Sequence, residues 1–234
     1  MNLFTVGYWD TSRDPRILMA LVSSRELGRL VHSARSRGPW PRREVLGFAR
    51  KANSIINNLR FTYMDPRAMA ETEEVRLLAE GADSLLRALD AALEPDLTGK
   101  RIIFHLGIIA GLGRRLSLGR IDDPVVAVDL YAGEVQASHE HPEIRGLKVC
   151  RVWVGRPLTV VTNDLSVEEG DRVGVAVLPP REFGSIISEG VFLGQGGVRR
   201  GIRGEPGGLP RGLRPEDLSE ASRLVVSFIR EHLP

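Results

Sequence analysis

The stretch from residue 124 to residue 194 constrains the fold most, because apolar and polar residues alternate along it in short runs. Apolar residues occupy every second position over residues 126–130 and again at Val135 and Ala137, on either side of Gly133. A period of two is typical of strands that bury one face. The interrupting glycine predicts a bulge or sharp bend at Gly133, of the kind that lets a small barrel close.

Four further short runs follow, and turn residues separate them. They cover residues 149–154, 158–161, 173–178 and 191–193, and Pro179-Pro180 is expected to stop the third of these. Five short strands in roughly seventy residues, with turn signals between them, predict a small closed or nearly closed barrel.

The centre of this stretch carries a recognisable motif. It reads His141-Pro142-Glu143-Ile144-Arg145-Gly146-Leu147-Lys148-Val149-Cys150-Arg151-Val152-Trp153-Val154-Gly155. Two later segments read Val160-Val161-Thr162-Asn163 and Ser188-Glu189-Gly190-Val191-Phe192-Leu193. These motifs resemble the tRNA-binding domain of several aminoacyl-tRNA synthetases, which also occurs as a free-standing protein. Members include the N-terminal region of the bacterial phenylalanyl-tRNA synthetase β subunit and the C-terminal extension of methionyl-tRNA synthetase.

The family typically reads His-Pro-Asn-Ala-Asp-Lys-Leu and then Val-Cys-Lys-Val-Asp-Val-Gly, and its later motifs are Ile-Val-Ser/Thr-Gly and Ser-Glu-Gly-Met-x-Leu. The shared residues of the first motif are His141, Pro142, Leu147, Val149, Cys150, Val152, Val154 and Gly155. The family's Ala-Asp-Lys is Ile144-Arg145-Gly146 here, so its lysine is missing. Arg145 supplies a charge one position earlier, although with a different geometry. The resemblance covers roughly a third of the chain.

The resemblance implies an OB-fold and tRNA binding. The residues then expected to contact RNA are His141, Pro142, Arg145, Lys148, Arg151, Arg156, Asn163, Ser188 and Glu189, with Arg199 and Arg200 clamping it from the following segment. Such recognition would read backbone shape and unpaired bases. Tyr131 and Trp153, on predicted strands, are candidates for base stacking, and packing is an equally good explanation for both.

Charge favours a second interpretation. Residues 121–198 hold six cations and twelve acids, a net charge of −6, whereas cations drive phosphate binding. Four of the six cations lie between Arg145 and Arg156. The open alternative is a protein-docking or dimerisation module associated with an aminoacyl-tRNA synthetase.

Helical periodicity predicts the rest of an α+β chain. Helices are expected over residues 13–32, 41–59, from about 66 to 93, 98–112 and 215–233, and Met1–Trp9 is expected as a strand or an ordered arm. The predicted domains are a helical bundle at 1–120, an OB-fold domain at 121–196, a Gly/Arg-rich linker at 197–214 and a C-terminal helix at 215–234. The apolar stripe of that last helix must be buried on the bundle or on a second copy of the chain.

Opposite charges divide the helical domain. Residues 1–60 hold eleven cations and four acids, and residues 61–96 hold three cations and nine acids. We expect ion pairs between these helices, in preference to an RNA-binding face on the exposed arginines. The segment 194–214, with eight glycines and five arginines, fits a flexible linker better than an RNA-binding tail.

Other chemistry is sparse in the sequence. His139, His141 and Glu143 lack a distant third set of metal ligands, and His105 lies in an apolar helix as core histidines do. One cysteine excludes an intrachain disulfide. No apolar run has the length of a membrane span, and the N-terminus lacks a signal-peptide pattern. We therefore expect a cytoplasmic, non-enzymatic protein without metal or cofactor, whose partners are tRNA, a synthetase or a second copy of itself.

Overall fold

The computed structural model describes residues 9–89 and 91–233. Helices come first, then five antiparallel strands, then a C-terminal helix, so the predicted α+β class is confirmed. The chain divides into a helical unit, Met1–Ala127 with Phe228–Pro234, and a barrel unit, Val128–Ser227. Most of the arm predicted at Met1–Trp9 lies outside the described residues.

Seven α-helices are present among the described residues. They are α1 Pro15–Leu30, α2 Arg42–Leu59, α3 Pro66–Ala70, α4 Glu73–Leu89, α5 Leu97–Ala110, α6 Leu112–Leu116 and α7 Ser219–His232. Asp14, Asp65 and Asp96 accept a hydrogen bond from a backbone N–H of the first turn of α1, α3 and α5. The helix predicted from residue 66 to 93 is divided, because Thr72 interrupts it and its hydroxyl starts α4 by accepting from Val75 N.

A buried ion pair at the start of α1 is hydrogen-bonded to the end of α6. Arg16 Nη2 lies 2.7 Å from Asp14 Oδ2, and neither side chain is exposed. Arg16 Nη1 also donates to the carbonyl oxygens of Arg115 (3.0 Å) and Gly119 (2.8 Å). Since a buried charge is costly unless its donors are satisfied, this network fixes where α6 ends relative to α1.

His105 lies in the core of the helical unit. Its Nδ1 is 3.0 Å from Ser23 Oγ, and its ring packs against Phe104 and Phe228. Burial lowers the pKa of His105 to about 3. Phe228 belongs to the end of α7, so part of the apolar stripe of that helix is buried within this chain and needs no second copy.

The five strands form one sheet in the order β3-β2-β1-β4-β5. They are β1 Leu130–Glu140, β2 Lys148–Trp153, β3 Pro157–Thr162, β4 Arg172–Phe183 and β5 Ile186–Phe192. The first strand begins later than predicted, since Pro124–Ala127 forms a 3-10 turn. The predicted bulge at Gly133 is wrong: the register shifts between Val135 and Ala137. At Gly133 a side chain would collide with Val152 and Val154, so the glycine permits close packing instead.

Strand β4 continues through Pro179-Pro180, where the sequence predicted an end. Proline has no N–H to donate to a ladder, and the pairing with β5 is correspondingly irregular between Val177 and Arg181. The prolines therefore interrupt the ladder without ending the strand.

Side chains connect the two edge strands of the sheet. Val161 N on β3 donates to Ser188 Oγ on β5 (3.0 Å), and Thr159 N donates to Glu189 Oε2 (3.3 Å). The backbone ladder is open between β3 and β5, and these bonds bridge the opening. Strand order and partial opening are those of a five-stranded OB-type barrel.

The Gly/Arg-rich segment is not a free linker. Ala132 N donates to Gly208 O (2.8 Å), Gly207 N donates to Ala132 O (2.9 Å), and Ile202 N donates to Arg172 O (3.1 Å). Ile202 is buried. The glycines allow this close approach to β1, so the segment forms part of the barrel unit, contrary to the flexible linker that its composition suggested.

We predict that stability falls with acid through His105. Its pKa is about 6.5 when unfolded and about 3 when folded, so the unfolded chain binds a proton more readily over this range. The free energy of unfolding of the helical unit should decrease by about 2 kcal/mol between pH 7 and pH 5 from this residue. Urea unfolding followed at 222 nm measures it.

The variants His105→Gln and His32→Gln separate this residue from other titrating groups. His32 is exposed on the surface of the helical unit, and its substitution is the matched control. Equal pH dependence in the wild-type chain and in His105→Gln would show that the buried imidazole does not cause the effect.

Candidate nucleic-acid interface

His141 joins the β1–β2 loop (residues 141–147) to the β4–β5 turn (residues 184–185). Its ring is buried, and its Nε2 donates to Phe183 O at 2.8 Å. Its Nδ1 accepts from the backbone N–H groups of Glu143 (3.1 Å) and Ile144 (3.0 Å). This bonding requires the neutral ring with its proton on Nε2. His141 therefore shapes the loop and does not face a ligand.

Glu143 provides the second connection between the same loops. Its carboxylate accepts from the backbone N–H of Ser185 at 3.1 Å and from the Ser185 hydroxyl. These bonds, that of the hydroxyl foremost, hold the pKa of Glu143 below its usual range. The β1–β2 loop and the β4–β5 turn are thus fixed together at one end of the barrel, where OB-folds commonly bind their ligands.

Five more of the predicted RNA contacts have partners inside the barrel unit. Lys148 Nζ donates to Val167 O at 2.7 Å, and Ser188 and Glu189 bridge β3 and β5. Arg156 lies at the limit of an ion pair with Glu189, 4.0 Å away. Arg200 binds Asp171 Oδ2 at 2.9 Å and Ser166 Oγ at 2.6 Å. Their first role is structural.

The other predicted contacts are exposed. They are Pro142, Arg145, Arg151, Asn163 and Arg199. Neither Arg145 nor Arg151 forms an ion pair with any described residue. Arg145 lies in the β1–β2 loop, and Arg151 lies on β2 opposite Ala137 and Thr159. These two guanidinium groups are free to bind an external anion.

Two further exposed residues, on β2 and close to the β4–β5 turn, were not among the predicted RNA contacts. Trp153 is 39% exposed and points to the same side of β2 as Arg151, two residues away. Arg181 is exposed on β4, opposite Ser188 and close in sequence to the β4–β5 turn. The sequence had already made Trp153 a candidate for base stacking, whereas Arg181 was missed because the prolines suggested that β4 had ended. We call Arg145, Arg151, Trp153 and Arg181 the cationic surface.

The acidity of the barrel is partly neutralised within it. Arg172 pairs with Glu134 at 3.3 Å, and Arg200 lies between Asp164 and Asp171. Hydrogen bonds from Ser166 and Val198, with the charge of Arg200, hold the pKa of Asp164 below its usual range. Residues 128–227 carry twelve cations and fourteen acids, so the ordered Arg-rich segment brings the unit to a net charge of −2.

The expected ion pairs between oppositely charged helices are nearly absent from the part of the chain that the structure describes. Arg37 with Glu94, at 3.5 Å, is the one pair that links a cation of residues 9–60 to an acid of residues 61–89 or 91–96. Arg43, Arg50 and Lys51 are exposed on α2 without an ion pair to any described residue. The prediction of mutual neutralisation is therefore wrong for α2, which keeps a row of free cations.

Neither a cluster of metal ligands nor a membrane-spanning helix is present among residues 9–89 and 91–233. No three His, Cys, Asp or Glu side chains in these ranges lie together as metal ligands would. No helix in them is long and apolar enough to cross a membrane. Cys150 is buried, and burial raises the pKa of its thiol.

Comparison with known proteins bears on the helical unit alone. Residues 8–119 match the model of a family described as an alpha helical domain, which is just under half of the chain. Helices α1 to α6 lie within the matched residues. No curated protein matches the chain. The family match thus concerns the helical unit, and the account of the barrel unit rests on its own structure.

We predict that His141→Ala loosens the connected loops. The change leaves the Phe183 carbonyl and two backbone N–H groups without their partner, which costs about 1–3 kcal/mol for a buried group. Thermal unfolding of the barrel and faster hydrogen exchange at the Ile144 amide measure the effect. His139→Ala, an exposed neighbour at the end of β1, is the matched control. Equal exchange rates in both variants would contradict the role given to His141.

Proposed function

We propose that the barrel binds tRNA, or another folded RNA, through the cationic surface and without catalysis. The observation that carries the proposal is the pair Arg151 and Trp153, exposed side by side on β2 with no ion pair to the guanidinium among the described residues. The resemblance of the β2 motif to tRNA-binding domains supports the same assignment.

Each residue of the surface has a chemical role in this proposal. The guanidinium groups of Arg145, Arg151 and Arg181 donate to phosphate oxygens, which position the RNA but do not read its sequence. Trp153 offers an exposed ring on which an unpaired base can stack. A cation beside an aromatic ring therefore suits a single-stranded loop or end of a structured RNA.

Internal ion pairs make the surface more effective than the net charge suggests. Acids such as Asp164, Asp171 and Glu134 face their own arginines, so part of their field is cancelled locally. The arginines of the cationic surface have no such partner among the described residues. Their field is short-ranged at physiological salt, where the Debye length is about 8 Å.

The helical unit adds affinity through α2. Its exposed Arg43, Arg50 and Lys51 present a row of cations toward solvent. Cations that are already exposed cost little desolvation when they meet phosphate, and they release counterions from the RNA. This contribution is independent of sequence, so it strengthens binding without choosing the RNA.

We predict that Arg145→Ala/Arg151→Ala weakens tRNA binding and its salt dependence together. Loss of two phosphate contacts should reduce the slope of log K against log salt by about 2. Filter binding of bulk tRNA across a salt series measures both quantities. Arg223→Ala/Arg230→Ala, two exposed arginines of α7, removes the same charge elsewhere and is the control.

Two results would refute the proposal. One is absence of tRNA binding by the wild-type chain at low salt, and the other is an unchanged slope in the Arg145/Arg151 variant. If the chain binds an aminoacyl-tRNA synthetase but does not bind tRNA, the docking interpretation is favoured instead.

We further predict that Trp153→Ala reduces tRNA affinity by tenfold or more while the salt slope stays constant. Base stacking is worth about 1–3 kcal/mol per base, and it releases no counterions. Trp153→Phe keeps an aromatic face and should retain most of the affinity. Equal losses in both variants would show that the indole serves packing and not stacking.

A further inference from the structure

Two arginines oppose each other in the Gly/Arg-rich segment. Arg203 N donates to Arg211 O at 3.1 Å, and Arg211 N donates to Arg203 O at 2.8 Å. Residues that exchange both hydrogen bonds form a directly opposed antiparallel pair with Cα atoms about 5.5 Å apart. Their side chains leave the ribbon on the same face. The backbone thus starts the two side chains next to each other, so that both guanidinium groups can reach one ligand.

The arrangement is unfavourable without a ligand, because like charges directly opposite each other destabilise a strand pair. Both arginines are exposed, and neither pairs with a carboxylate among the described residues. Glu205, the nearest acid in sequence, forms no ion pair with either of them. In contrast, Arg200 and Arg214 of the same segment both have acidic partners. The opposed pair stands out as an uncompensated concentration of positive charge.

Backbone hydrogen bonds attach the segment that carries the two arginines to the barrel. Between the two arginines the segment is bound to Ala132 of β1 through Gly207 and Gly208. A side chain at Gly204 would come within 3.1 Å of Ala132 Cβ and within 2.8 Å of Leu209 O. Since the backbone is bound at Ile202 and again between the two arginines, the points where their side chains begin are fixed before a ligand arrives, and binding costs less entropy.

We propose that Arg203 and Arg211 form a phosphate-binding pair, occupied by a backbone phosphate of RNA held on the barrel. A phosphate group has several oxygens that accept from two guanidinium forks at once, and Arg is the side chain best suited to such contacts. The RNA source of the phosphate rests on the proposed function. The phosphate chemistry rests on the opposed arginines themselves.

Inorganic pyrophosphate and tRNA are used as separate probes of the full-length chain. Arg203→Gln/Arg211→Gln removes the charges but keeps the backbone pair, and Arg223→Gln/Arg230→Gln is the control of equal charge change. Calorimetry with pyrophosphate should show affinity reduced about tenfold or more in the first variant only. Unaltered melting temperature checks that the Gln variant is folded.

The tRNA probe tests the source of the phosphate. The slope of log K against log salt should fall by about 2 in Arg203→Gln/Arg211→Gln and stay constant in the control. Pyrophosphate binding that survives in the Gln variant overturns the phosphate pair. An unchanged slope with normal tRNA affinity overturns RNA as its occupant but leaves the proposed function intact. If the wild-type chain binds pyrophosphate but does not bind tRNA, the phosphate-binding role of Arg203 and Arg211 is supported and the proposed function is refuted.

Discussion

The barrel depends on hydrogen bonds between its two edge strands, β3 and β5, which do not form a backbone ladder with each other. A strand edge with free N–H groups must find acceptors or remain exposed to pairing with other chains. Here the Ser188 hydroxyl and the Glu189 carboxylate supply those acceptors to Val161 and Thr159 of β3. Gly190 lets β5 also lie close to β4, since a side chain there would collide with the Ala176 carbonyl. The Ser-Glu-Gly motif is thus a structural device that closes the barrel.

His141 and Glu143, in the first motif, also have a structural role. His141 uses both ring nitrogens to hold the β1–β2 loop against the β4–β5 turn, and Glu143 reinforces it through Ser185. His141, Ser188 and Glu189 build the frame, whereas other residues of the same motifs face solvent. Arg145 and Arg151 belong to this second class. RNA recognition on such a frame would follow the residues that the frame presents and not those that hold it together.

Much of the fold could be predicted from the sequence. Alternation marked five strands, and helical periodicity marked the helices, because these signals are local. What failed depended on tertiary context: Gly133 packs against β2, the paired prolines sit at an irregularity within β4, and the glycine-rich segment gains partners along β1. Composition alone cannot show a backbone that is ordered by a neighbouring strand.

The candidate site was less predictable than the fold. A motif match does not tell whether a polar residue bonds inward or outward, so His141, Lys148, Ser188 and Arg200 were expected at the RNA and were found bonded within the barrel. Net charge was also a poor guide to RNA binding. Arg172 and Arg200 form ion pairs with acids of the barrel, and these pairs cannot be seen in a count of charges. Exposure and pairing decide both points, and both are properties of the folded chain.

The most direct test is an NMR titration of the ¹⁵N-labelled chain with bulk tRNA, observed at the Trp153 indole N–H and at the backbone amides of β2. RNA binding on the cationic surface predicts that the Trp153 signal and the amides around Arg145 and Arg151 shift or broaden together as tRNA is added. If these signals stay unchanged while the protein is saturated, or if changes are confined to the helical unit, the barrel is not the RNA-binding surface.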